Sequence, residues 1–187
     1  MTLFEFLMAI ASVVIAIALT EIFGGWGHLL RIHIVPKIDW LHLSWTLVVV
    51  LYAIQYWVGI WPYRDIEFEF IYQVWFLIFP TLFIVLVSFS ITPDVEPDDK
   101  FNLREYYMSR RGPIFYGMAA FMGMAQLADL VILGTNFNWI GLSFIAFMIF
   151  PARSTKISIH ASVMLLNMIL LIGVGVGVFP GISGFEI

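Results

Sequence analysis

The chain has no cysteine among its 187 residues, which excludes a disulfide framework, a thiolate metal site and a Cys nucleophile. Charge is scarce as well. Charged residues make up 12% of the sequence, where soluble domains carry roughly a quarter. The net charge of −4 is spread over short loops and forms no basic face, which excludes nucleic acid as a partner. No apolar stretch contains a lysine that could form a retinal Schiff base, which excludes a rhodopsin. Walker, HExxH and GxSxG patterns are absent, so no catalytic residue, no metal ligand and no enzyme activity is assigned. What remains is a chain that is 61% hydrophobic, with a mean hydropathy of +0.96, a composition that belongs in lipid.

A spanning helix needs roughly 20 mostly apolar residues. Six candidates are separated by Pro, Gly or charge, at about 3–23, 40–61, 70–91, 113–133, 139–150 and 157–179. The fold class expected is therefore all-α, a single transmembrane domain over 1–187. The fifth span is short, and Pro80 predicts a kink in the third. The first stretch imitates a signal peptide at Ala16-Ile17-Ala18, but it lacks Lys and Arg at its start and contains Glu5, so it reads as a retained helix. Eight of the nine Lys and Arg fall in alternate loops: Arg31 and Lys37; Lys100, Arg104, Arg110 and Arg111; Arg153 and Lys156. Cytoplasmic loops are enriched in these residues, so both termini are expected outside. The loop 92–112 is then cytoplasmic. Its half from Phe101 to Arg111 is predicted to lie on the lipid surface as a short amphipathic helix. Trp40 on one side, and Tyr56, Trp57, Trp61, Tyr63, Tyr72, Trp75 and Trp139 on the other, read as interfacial belts.

Two sequence matches suggest halves related by inversion, as in many transporters. Ala18-Leu19-Thr20-Glu21-Ile22 resembles Gln126-Leu127-Ala128-Asp129-Leu130, and the stretch from Asp39 to Trp45 resembles that from Asn138 to Phe144. A 3+3 inverted repeat is one reading, and chance likeness between apolar strings is the other. Ser12, Ala16, Thr20, Gly24 and His28 recur every fourth residue as a narrow small-residue face. Gly173 and Gly177 form another, and Ala119 with Gly123 a third. These faces suit contacts within one chain, a homo-oligomer or a larger membrane complex. Gly173-Val174-Gly175-Val176-Gly177 has no pore-loop pattern around it and reads as packing, not as an ion filter.

Ionisable and amide groups inside spans are costly and mark functional candidates. Glu21, His42 and His160 fall in the inner third, Gln126 and Asp129 in the outer third, with Asn167 between. The functional reading is a proton or ion pathway with Asp129 as outer carboxylate, Asn167 as midplane group, and Glu21 with His160 or His42 as inner acceptors. The plainer reading leaves Glu21, His42 and His160 solvated among headgroups, with Asp129 as an internal tie. A further reading makes His42 and His160 axial ligands of one haem, a weak signal from two histidines at matching depth; otherwise no cofactor is implied.

The stretch from Trp40-Leu41-His42-Leu43-Ser44-Trp45 to Gln55-Tyr56-Trp57, preceded by a long helix ending in Leu29-Leu30-Arg31, resembles a group of small bacterial inner-membrane proteins of six helices and no assigned activity. They share a His-x-x-Trp opening to helix two and a Gln-x-Trp near its end. The resemblance implies a bacterial inner-membrane location and no catalytic residues. Three functions follow in descending order: a small transporter or channel, a structural or accessory subunit of a membrane complex, and a lipid-acting enzyme using Asp129 or Glu21 as base.

Overall fold

The computed structural model describes residues 2–31, 39–94, 101–135 and 139–175. These residues form six α-helices and one short 3-10 helix: α1 Leu3–Arg31, α2 Trp40–Gly59, the 3-10 helix Trp61–Asp65, α3 Ile71–Ile91, α4 Leu103–Ile132, α5 Trp139–Arg153 and α6 Ile157–Gly175. The segments Leu3–Arg31, Trp40–Asp65, Ile71–Ile91 and Leu103–Ile132 are long and apolar enough to cross a membrane, while the last two helices are shorter. Less than half of each of those four segments is buried within the chain, so their remaining apolar surface is suited to lipid. The outer wall is correspondingly rich in large apolar side chains, including Val13, Leu86, Trp139 and Ile172.

The first four helix starts have a local cause. At α1, Thr2 and Glu5 cap each other reciprocally: the Thr2 N–H donates to Glu5 Oε2 at 2.8 Å and the Glu5 N–H to Thr2 Oγ1 at 3.1 Å. The Asp39 carboxylate caps α2 by accepting from the Leu41 and His42 N–H groups. Gln73 Oε1 accepts from the Glu69 and Phe70 N–H groups at the head of α3. Asn102 caps α4, accepting from the Arg104 N–H and donating to Glu105 Oε1.

That last cap corrects the expected surface helix and the expected start at Pro113. One helix runs from Leu103 to Ile132, with Pro113 in its interior. Its first turns carry most of its charged residues, and the stretch after Pro113 is apolar apart from Gln126 and Asp129. The helix ends at Gly134, whose φ of +62° is the left-handed conformation that glycine adopts without steric cost. Likewise α1 continues to Arg31, beyond its expected end at 23. Helix α3 passes through Pro80, which is buried.

Helix α4 packs along α3 and α5, α3 lies along α1, and α2 meets α6. The close approaches are set by glycine. A Cβ on Gly117 would stand 2.7 Å from Val87, and one on Gly25 would stand 2.2 Å from Thr92 Cγ2. The main core joins Trp45, Val48 and Val49 of α2 to Ile84, Val87, Phe115, Met118 and Met148. A smaller cluster gathers Phe4, Leu7, Ile60, Tyr63, Leu77 and Ala128 at the far end. The extensive α1–α3 contact has no counterpart of similar extent between α4 and α6.

Candidate functional site

The buried polar groups lie where α2, α4 and α6 meet. His160 is fully buried on α6. Its Nε2 donates to the Ser154 carbonyl at 2.8 Å, so in the neutral ring Nδ1 is the acceptor, taking the Tyr107 hydroxyl of α4 at 2.6 Å. His42 of α2, also buried, donates from Nε2 to the Ile91 carbonyl at 2.8 Å. The Tyr107 ring stands between the two histidines, its centroid 5.4 Å from that of His160 and 6.4 Å from that of His42. Phe115 closes the group, with its centroid 5.5 Å from His160 and 4.6 Å from Trp45. The Trp45 indole N–H is buried beside the Tyr107 hydroxyl.

One face of α6 continues this group. Asn167, fully buried, lies seven residues beyond His160, about 10 Å along the helix axis. Its Oδ1 accepts from the Tyr52 hydroxyl at 2.7 Å and its Nδ2 donates to the Val163 carbonyl at 2.8 Å. Tyr56, one turn beyond Tyr52, donates to the Leu77 carbonyl at 2.6 Å, and Phe121 packs edge-on against both tyrosines. Farther along, Tyr63 donates to Asp129 at 2.5 Å. The tyrosine is buried, whereas Asp129 stays open at the edge of the bundle.

The expected residues are therefore brought together in part. His160, His42 and the unexpected Tyr107 form one group. Asn167 is the midplane member, but through Tyr52. Gln126 and Asp129 diverge despite their spacing: Gln126 packs on Gly141 of α5, where a Cβ would lie 1.6 Å from its Nε2, while Asp129 turns to Tyr63. Glu21 is half-buried on α1, and no hydrogen bond among the described residues ties it to the histidine group. The reading that left His42 and His160 solvated among headgroups is overturned, because both are enclosed by aromatic rings. Either ring nitrogen of His160 could meet a haem iron only by giving up its bond to Tyr107 or to Ser154.

Two belt assignments are also corrected. Trp57, Trp61, Tyr72, Trp75 and Trp139 face outward, but Tyr56 and Tyr63 turn inward because their hydroxyls find acceptors there. Of the packing faces, Ala16, Thr20 and Gly24 point away from the bundle, and a Cβ on Gly24 or Gly123 would meet nothing within 4 Å. Ser12 touches a neighbouring helix, accepting from Trp57 Nε1 at 2.8 Å, and Ala119 packs against the main core. Gly173 is buried, while Gly177 and part of the second repeat match lie outside the described residues.

Beside the histidine group is an ion pair that sequence reading missed. Arg104 Nε donates to Asp39 Oδ1 at 2.9 Å, and a second guanidinium nitrogen reaches the same oxygen. Asp39 is buried, so one carboxylate caps α2 and ties it to the first turn of α4. Tyr106 adds donation to the Thr92 carbonyl at 2.8 Å. The Asn102-x-x-Glu105 cap was the available signal, since it places Arg104 on a helix. Among the described residues no cluster of His, Asp and Glu could hold a metal ion.

No protein-family model matches the chain, and comparison with curated proteins and with solved structures gives no match.

Proposed function

We propose that the protein is a small integral membrane transporter or channel for protons or ions, with its pathway along α6. The observation that carries this reading is the buried Tyr107–His160 bond continued by Asn167 on the same helix face. Tyrosine hydroxyls both donate and accept, and histidine titrates near neutral pH, so the pair has the chemistry to pass a proton. A proton arriving at Nδ1 of His160 makes the imidazolium. Release of the Nε2 proton to water at the Ser154 turn, followed by tautomer exchange, restores the starting state. Asp129 with Tyr63, and Tyr52 with Asn167, supply the remaining stations, and water must bridge the gaps between them. Glu21, His42 and Gln126 flank this route.

In the same reading the chain crosses a bacterial inner membrane six times with both termini outside, as the placement of Lys and Arg supports. The 3+3 repeat draws support from the sequence matches, and the unequal packing of α1–α3 and α4–α6 weighs against it. A second reading, as a homo-oligomer or an accessory subunit of a larger complex, is favoured by the outward-facing Ala16, Thr20 and Gly24.

The test is proton flux in liposomes under an imposed pH gradient. Wild-type protein is expected to dissipate the gradient, and Asp129→Asn to abolish flux while leaving expression and assembly intact. Absence of wild-type flux, together with co-purification of a stoichiometric partner, would replace transport with the accessory role.

A further inference from the structure

Outside the polar line, three cations join no ion pair among the described residues. Arg111 of α4, Arg153 at the end of α5 and Lys156 just before α6 lie on elements that pack together at the end of the bundle where the 154–156 turn passes α4. Three contacts place them there. Arg153 Nε donates to the Tyr116 hydroxyl of α4 at 3.2 Å, His160 holds the Ser154 carbonyl, and Arg111 lies within electrostatic reach of His160. Among the described residues none of the three cations joins an ion pair; the pairs there are Arg64–Asp65 and Arg104–Asp39. Arg111 Nη1 donates to the Met108 carbonyl at 2.5 Å, which holds the guanidinium in place, while its Nε has no acceptor. Arg153 and Lys156 are exposed.

Like charges carried on one end of packed helices repel unless an anion joins them, and arginine pairs bidentately with phosphate oxygens. Both a free phosphate and a lipid headgroup offer that chemistry. The surroundings favour the lipid, because the exposed large side chains Tyr116, Phe150 and Ile157 border the cations and offer an apolar wall for acyl chains. We infer that Arg111, Arg153 and Lys156 form a binding site for the phosphate headgroup of an anionic phospholipid, clamping α4 to the α5–α6 turn. Basic sites between membrane helices hold anionic headgroups by the same electrostatics.

The test uses the full chain in phosphatidylcholine bilayers carrying either spin-labelled phosphatidylglycerol or spin-labelled phosphatidylcholine, with the immobilised lipid fraction read by electron paramagnetic resonance. Wild-type protein is expected to prefer phosphatidylglycerol several-fold. R111Q/R153Q/K156Q should lose that preference, and R31Q/R64Q, which removes charge elsewhere, should keep it. If the triple variant does not fold, R153Q alone should show a partial loss. No wild-type preference, equal loss in the control variant, or complete displacement of the labelled lipid by millimolar inorganic phosphate would overturn the assignment.

Discussion

The two ends of the bundle solve the same problem differently. At the histidine end, polar groups are enclosed: His42, His160 and Asp39 are all buried, each bonded, and surrounded by Trp45, Tyr107 and Phe115. At the other end, Tyr63 is buried but its partner Asp129 remains open, and the nearby Arg64–Asp65 pair is largely exposed, at 44% and 77% of side-chain surface. The contrast teaches that burial, more than residue type, decides what each polar group does for stability. Enclosed groups bind helices to one another through fixed hydrogen bonds, the line from His160 to Asn167 included, whereas open ones exchange with water directly.

The largest expected effect is at the enclosed ion pair. Arg104→Ala leaves the Asp39 carboxylate buried with only its cap bonds, and should cost about 2–3 kcal/mol, less than a wholly buried pair because Arg104 is partly solvated. Arg64→Ala at the open end should cost less than about 0.5 kcal/mol. Reversible unfolding in mixed micelles measures both, and equal costs would break the comparison.

Next comes the midplane bond. Asn167→Leu leaves the Tyr52 hydroxyl buried without its acceptor and should destabilise by about 1–3 kcal/mol. Adding Tyr52→Phe should recover part of that loss, because the orphaned hydroxyl is then gone. A double-mutant cycle showing no coupling would remove Tyr52–Asn167 from the account.

Glycine substitutions sharpen the comparison within α1 itself. Gly25→Ala drives a Cβ into Thr92 and should cost about 1–3 kcal/mol, while Gly24→Ala one residue earlier should be neutral or gain up to about 1 kcal/mol from helix propensity. If Gly24→Ala instead lowers the oligomeric mass of the purified protein, the outward small-residue face is an interface, and the second functional reading gains.

Asp129→Asn should also be mild in stability. The amide oxygen still accepts from Tyr63, so the change should stay within about 1 kcal/mol, although it removes the charge on which flux is expected to depend.

Much of the helical content was legible because long apolar runs broken by Pro, Gly and charge have few other solutions. The boundary errors share one cause. Arg104, Arg110 and Arg111 were read as a surface segment, yet a capped helix carries such residues on exposed turns before entering an apolar stretch, and Pro113 interrupts neither. Candidate residues were found by type, and type alone picked out His160, Asn167 and Asp129. Their partners Tyr107, Tyr52 and Tyr63 were missed because a tyrosine in an apolar run looks like any other aromatic until a buried acceptor is placed opposite it. Gln126 and Asp129 show the reverse error. Both fall in the outer third by sequence, but α5 and the 3-10 helix draw them to different neighbours.

The central claim is that the enclosed face of α6 carries protons, and the most direct measurement is proton flux through liposomes containing His160→Gln beside wild-type protein at matched incorporation. Glutamine can keep hydrogen bonds in the pocket but cannot take up a proton at neutral pH. Wild-type flux that falls by at least about tenfold in His160→Gln is the predicted result, in the range expected when a positioned proton-transfer group is lost. Equal flux through the two proteins would contradict it.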